Sequence, residues 1–247
     1  MTNKHAIYKQ LTTHNSQLTK YAFTLAETLI VMGIIGVVAA LTLPNLNSST
    51  GDKEKVVKVK KIYQNLNDVM GRAVAVYGPI EDWFVNDVNA TAQTTRAGER
   101  LTEFMKLSKN CKMTEGCYTG DSDTISDFYK VILSDGTGLG LRNLSNVIYF
   151  YIDIDGINKG KNSEGYDRFT FCTSNDSVVP VGDVEYPYQK GESTIYGLCG
   201  NSGTKAGCTR WVIDFGNMDY LKLDSSGKCP NGKALNFLAN PPVTSCK

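Results

Sequence analysis

The segment DIDGINKGKNSEGYD, residues 153–167, is the densest group of side chains able to do chemistry, with Asp153, Asp155, Asn158, Asn162, Glu164 and Asp167 set among glycines. Calcium takes about six to eight such oxygens. The order is not that of an EF-hand loop, so the expected ligands, Asp153, Asp155, Asn158 and Asp167, would form a different calcium loop. The alternative is a Gly/Asn/Asp turn whose side chains cap their own backbone. Asp153 and Asp167 also read as a glycosidase-like carboxylate pair, for which nothing speaks beyond their number. The two histidines, His5 and His14, both precede residue 22. A chain lacking that leader has no Ser-His-Asp, Cys-His or His-ligated zinc chemistry, although carboxylate and Lys chemistry would still be allowed. No catalytic residue is assigned, and the chain is expected not to be an enzyme.

Seven cysteines lie at 111, 117, 172, 199, 208, 229 and 246, and none forms a C-x-x-C pair. Zinc ribbons and thioredoxin-like redox motifs are therefore disfavoured. The local spacings read as staples on long loops in an oxidising compartment. Cys111–Cys117, Cys199–Cys208 and Cys229–Cys246 are the expected pairs, one of about a hundred connectivities that leave one thiol over, here Cys172. The glycine-rich stretch YGLCGNSGTKAGC lacks the strand–loop–helix setting of a phosphate cradle and reads as a disulfide loop. Trp83, Trp211 and the 13 tyrosines read as core before they read as a ligand surface.

Charge argues against nucleic acid as a partner. Residues 1–22 hold Lys4, Lys9 and Lys20 and no acid, so the remainder carries 23 Lys and Arg against 25 Asp and Glu. Beyond Lys61 the balance is 18 against 22. Phosphate neutralisation would call for a basic domain. The lysines at 53, 55, 58, 60 and 61 read as a solvated helix face, with anionic headgroups as the functional alternative.

From Phe23 to Leu43 the sequence FTLAETLIVMGIIGVVAALTL is apolar except for Thr24, Glu27, Thr28 and Thr42. As a helix it would measure roughly 31 Å, enough for a bilayer core. Glu27 is costly inside such a span and needs a positive partner. No Lys or Arg lies between residues 21 and 52. A cut before Phe23 would make Glu27 the fifth residue, and the freed amine of a neighbouring subunit would serve as that partner.

Ala22-Phe23-Thr24-Leu25-Ala26-Glu27 resembles the prepilin signature G-F-T-L-I-E of type IV pilins and type II secretion pseudopilins. Gly36 and Pro44 fall where members of that family often have helix-loosening residues. Ala22 stands in place of the usual Gly, and Ala26 in place of a larger aliphatic residue. The resemblance covers residues 18–78, with the rest similar only in outline. It implies cleavage after Ala22 and N-methylation of Phe23 by a prepilin peptidase, then assembly with other pilin or pseudopilin subunits by an inner-membrane platform, with membrane lipid as a further partner. It also implies a single-pass inner-membrane protein with a periplasmic C-terminal domain, delivered to a filament on assembly.

The elements that would position these residues follow. Val56, Val59, Tyr63, Leu66, Met70, Ala73 and Tyr77 recur at spacings of three and four, which predicts an amphipathic helix stopped by Gly78-Pro79. The stretch NLNSSTGDKEK before it is a poor helix. Residues 80–128 read as irregular, with a short amphipathic LTEFMKL. Tyr129–Ser134 and Thr137–Leu141 flank the hairpin signal Asp135-Gly136. Val147–Ile154 alternates, with Ile148, Phe150, Ile152 and Ile154 expected to meet the helix. Phe169–Phe171 is a short strand, and Arg210–Phe215 with Met218–Leu223 is expected as a hairpin across Gly216-Asn217. The expected fold is α+β and pilin-like: a long N-terminal helix, half membrane and half amphipathic, packed on an antiparallel sheet with disulfide-stapled loops. The expected divisions are 1–22 leader, 23–43 membrane half, 44–78 amphipathic half, 79–128 variable loops, and 129–247 sheet and disulfide region. A filament subunit is the expected function. A membrane-anchored minor-pilin binding module for adhesion or DNA uptake is the alternative.

Overall fold

The computed structural model describes residues 24–85, 89–119, 127–157, 159–181, 199, 207–236 and 239–247, with the side chains of 39–50 excepted. Its contacts divide the chain into one unit ending at Asn47 and another beginning at Ser48. Helix α1 is assigned over Leu25–Tyr77. In the second unit one face of it, Val56, Val59, Ile62, Leu66, Val69, Met70 and Ala73, is buried. Tyr63 and Tyr77 pack at the margin of that core. Gly78 ends the helix at φ 79°, its N–H donating to the Val74 carbonyl at 2.9 Å. Only glycine enters that left-handed cap without strain.

The expected fold class is corrected at its N-terminal half. The architecture is a six-stranded antiparallel sheet with a few helices, and among the described residues no helix is long and apolar enough to cross a membrane. From Val56 onward the helix is amphipathic. The stretch NLNSSTGDKEK, expected to be a poor helix, also lies within α1. Its propensity is weak, but a helix already nucleated on either side extends at little cost.

The sheet is a meander with strand order β1 to β6: β1 Leu107–Lys112, β2 Tyr129–Leu133, β3 Gly138–Leu144, β4 Val147–Asp153, β5 Arg168–Ser174 and β6 Ser177–Pro180. The Asp135-Gly136 hairpin forms as expected, with Gly136 at φ 85°. Two further turns use paired positive-φ residues, Ser145-Asn146 at 51° and 64° and Asn175-Asp176 at 46° and 61°. Such pairs match the twist of the strands they join. Register places Val131, Leu139, Ile152 and Phe169 in one row and Tyr129, Leu141, Phe150 and Phe171 in the next. Ile148, Phe150, Ile152 and Ile154 all enter the core with α1. Tyr63 stacks on Phe171 at 5.5 Å between ring centroids. Asn67 completes edge strand β6, accepting from Val178 N at 3.0 Å and donating to Val178 O at 3.2 Å. A side-chain amide thus occupies backbone groups that another strand could otherwise pair with.

Three expectations for the connecting regions are overturned. The polar run within 80–128 contains helix α2, Ala90–Thr102, capped by Asn89 Oδ1 accepting from Ala92 N at 2.8 Å. Thr94, Ala97, Gly98 and Leu101 form its buried face, a helical spacing built from small residues. The segment LTEFMKL is divided between the end of α2 and the start of β1, and Ile80–Trp83 is a 3-10 turn. Arg210–Phe215 is not a strand. It lies in helix α3, Cys208–Phe215, and Asp219–Lys222 is a second 3-10 turn. Gly216, at φ 63°, caps α3 with its N–H donating to Val212 O at 3.1 Å. Trp211 and adjacent Val212 are both buried, which a half-exposed strand would not allow.

Three disulfides are present, Cys111–Cys117, Cys199–Cys208 and Cys229–Cys246, with Cα separations of 5.9, 4.6 and 5.4 Å. Cys172 is buried and belongs to none of them. The third disulfide is reinforced by Asp219, whose carboxylate accepts from Ser245 Oγ and Cys246 N, both at 2.8 Å. Burial alone would raise the Asp219 pKa, but Lys222, Cys246 N–H and Ser245 more than offset it and hold the carboxyl below its usual value.

Candidate functional site

The acidic loop begins where β4 ends. Asp153 is buried at that end, with Oδ1 accepting from Gly156 N at 3.1 Å and Oδ2 3.5 Å from Arg168 Nε. Asp167 is buried too, and accepts backbone N–H groups from Lys161 at 2.5 Å, Asn162 at 2.8 Å and Ser163 at 2.6 Å. Both of its oxygens therefore cap the turn, which is the backbone-capping reading in concrete form. Gly160, at φ 66°, leaves room for two carboxylates. A Cβ there would lie 2.0 Å from Asp155 Oδ2 and 2.5 Å from Asp167 Oδ2.

Two buried oxygens in this loop, Asp155 Oδ1 and Asn162 Oδ1, make no hydrogen bond, while Asp153 Oδ2 has only the Arg168 ion pair. Burial, and then the neighbouring Asp155, push the Asp153 carboxyl up to about 7, against the opposing pull of Arg168 and Gly156 N–H. Orphaned carboxylate and amide oxygens are the donors a hard divalent cation takes. Of the expected calcium ligands, Asp155 and Asp167 both border Gly160 and Asp153 adjoins Asp155, while Asn158 lies outside the described residues. Among the described residues no three His, Cys, Asp or Glu side chains are grouped so as to hold a metal ion. Asn162, already part of the acidic segment, is the oxygen donor missing from the expected set.

Two of the five clustered lysines are engaged with the protein. Lys55 Nζ lies 3.2 Å from the centre of the Tyr166 ring, and Lys58 Nζ donates to Ile154 O. Lys53 and Lys61 remain exposed. Trp83 and Trp211 are core residues.

In the first unit, the expected processing residues Ala22 and Phe23 and the leader with His5 and His14 lie outside the described residues. Glu27 is described and exposed. Its Oε2 accepts from Thr24 N at 2.9 Å and from Thr24 Oγ1 at 3.0 Å, while Thr24 Oγ1 accepts from Glu27 N at 3.2 Å. This reciprocal pair is a capping box, whose signal in the sequence is Thr-x-x-Glu at residues 24–27. The helix beyond it is apolar on every side and exposed on every side, with Leu25 at 81%, Ile30 at 62% and Met32 at 73% of full accessibility. A helix of that kind requires a partner. The chain matches no protein-family model, no curated protein and no solved structure, so no family is shown and any function rests on the residues described above.

Proposed function

We propose that this chain is a structural subunit of a filament of the type IV pilus or type II secretion kind, cut after Ala22 by a prepilin peptidase and exported to an oxidising compartment. The exposed apolar surface of α1 from Leu25 to Val37 is the observation that carries this reading. At about 25 cal/mol per Å² such a surface strongly favours association with other apolar surface. Helices of neighbouring subunits would supply it, and an inner-membrane assembly platform and lipid are the partners before assembly. The three disulfides fit the export step. Intact-mass analysis of protein from cells with an active prepilin peptidase should give a chain beginning at Phe23 and methylated there. Recovery of full-length protein only would count against the proposal.

The headpiece in this reading carries a structural calcium ion at Asp153, Asp155 and Asn162, favoured by the unbonded oxygens of Asp155 and Asn162 beside the Asp153 carboxylate. An ion held only by the folded state stabilises it by mass action, about 2.7 kcal/mol at a hundred times its Kd. Millimolar calcium should therefore raise Tm in the unmodified chain and leave that of Asp155→Ala unchanged. Equal melts with and without calcium in the unmodified chain would leave the loop as a plain backbone-capping turn.

A further inference from the structure

Among the described residues, the unit beginning at Ser48 exposes three large apolar side chains, Val57 at 66%, Val76 at 62% and Val85 at 74%. They lie at two places. Val57 sits in an open groove with Lys53, Glu54, Lys58, Lys61 and Asp135, and Lys61 and Asp135 also border a second groove that reaches Arg72, Phe104 and Leu133. Val76 and Val85 flank the 3-10 turn Ile80–Trp83, one on each side in sequence. That turn is firmly anchored. Ile80 and Trp83 are buried, Trp83 Nε1 donates to Gly78 O at 2.8 Å, and Ile80 N donates to Asp176 Oδ1 at 2.7 Å.

The charges of the two places are opposite. The groove's lining holds Lys53, Lys58 and Lys61 against Glu54 and Asp135, a small positive excess. Between Tyr77 and Val85 stand Glu81 and Asp82, both exposed, and no basic residue. An exposed valine therefore accompanies a positive groove near the start of this part of α1 and a negative turn beyond its end. Val57 and Tyr77 are separated by about 30 Å along the helix.

We propose that the Val57 groove receives the Glu81–Val85 turn of a second copy of this chain, with Lys53 and Lys61 meeting Glu81 and Asp82. A contact between two different patches of the same chain is heterologous and does not close on itself in a dimer. It propagates. The inference rests on the filament reading and names the headpiece contact within it. Opposite charge fixes partner and register, and the valines supply the apolar centre. Anionic lipid would use the lysines alone and leave the acidic turn and Val85 without a role.

The test uses the full chain in cells that assemble filaments, with Val57→Cys and Val85→Cys made singly and together. Sheared filaments of the double variant, oxidised and run without reductant, should give a ladder of crosslinked subunits, and neither single variant should. Lys61→Glu should cut filament yield at least tenfold, and Glu81→Lys with Asp82→Lys in the same chain should restore it. Normal filament yield without a ladder would overturn this contact and leave the filament reading standing. Crosslinking by the Val57→Cys variant alone would show a like-to-like contact instead and also overturn it. Lysine variants that lose binding to anionic vesicles but assemble normally would assign the groove to lipid. Absence of filaments from the unmodified chain would remove the filament reading and this contact together.

Discussion

Replacing Gly98 with Ala should destabilise the headpiece by about 1–3 kcal/mol, lowering Tm by roughly 3–10 °C. A Cβ at that position would stand 2.2 to 2.5 Å from the ring carbons of Tyr129, far inside van der Waals contact. Tyr129 cannot easily yield. It is 1% exposed in the core, and its hydroxyl accepts from Asn110 Nδ2 at 3.1 Å. Helix propensity acts in the opposite direction, because Ala in a helix interior is better than Gly by up to about 1 kcal/mol. Gly71 separates the two effects. It is also helical, it is exposed, and nothing lies within 4 Å of the Cβ it would gain. Gly71→Ala should therefore hold or raise Tm by a few degrees while Gly98→Ala lowers it. Thermal denaturation of the two variants beside the unmodified chain measures this, and equal melts would mean that α2 and β2 are not packed as described.

That pair of glycines also shows what the sequence discloses and what it hides. The buried face of α1 was legible because its apolar residues are large and recur at helical spacing. The face of α2 uses Thr94, Ala97, Gly98 and Leu101, and three of those four are too small or too polar to register as core. Its position is fixed instead by β3, where Asn143 N donates to Thr94 Oγ1 at 3.0 Å, a contact 49 residues distant in the chain. Tertiary packing likewise decided Cys208–Phe215. Trp, Val, Ile and Phe favour strands, but this segment closes a disulfide to Cys199 and its Thr209 Oγ1 accepts from Thr170 N at 2.9 Å. The Asp135-Gly136 hairpin and the alternation of β4 are local signals, and both appear in the structure. At the acidic loop the residue types were plain in the sequence. Their division of labour was not, because only the folded turn shows Asp167 capping three N–H groups while oxygens of Asp155 and Asn162 are left over.

The second large effect concerns assembly and turns on Glu27. Its capping box with Thr24 gives the carboxylate one role within its own chain, worth about 1 kcal/mol to the helix start. That role does not need a charge. Gln at the third helical position closes a capping box as Glu does, so Glu27→Gln keeps the cap while removing the charge, and Glu27→Ala removes both. In the filament account the charge meets the free amine of Phe23 in an adjacent subunit, so that packing and axial register are set together. Lateral packing among helices as apolar as Leu25–Val37 has little else to fix its register.

Subunit recovered in sheared filaments, normalised to total subunit in the cells, should therefore be measured for the unmodified chain, Glu27→Gln and Glu27→Ala. The account predicts that both variants accumulate and fold their headpieces normally, with disulfides intact, and that both fall at least tenfold in filaments. Assembly of Glu27→Gln at the original level with failure of Glu27→Ala would reduce Glu27 to a helix cap. Assembly of both at the original level would contradict the amine–carboxylate pairing and favour an anchored binding module over a filament subunit.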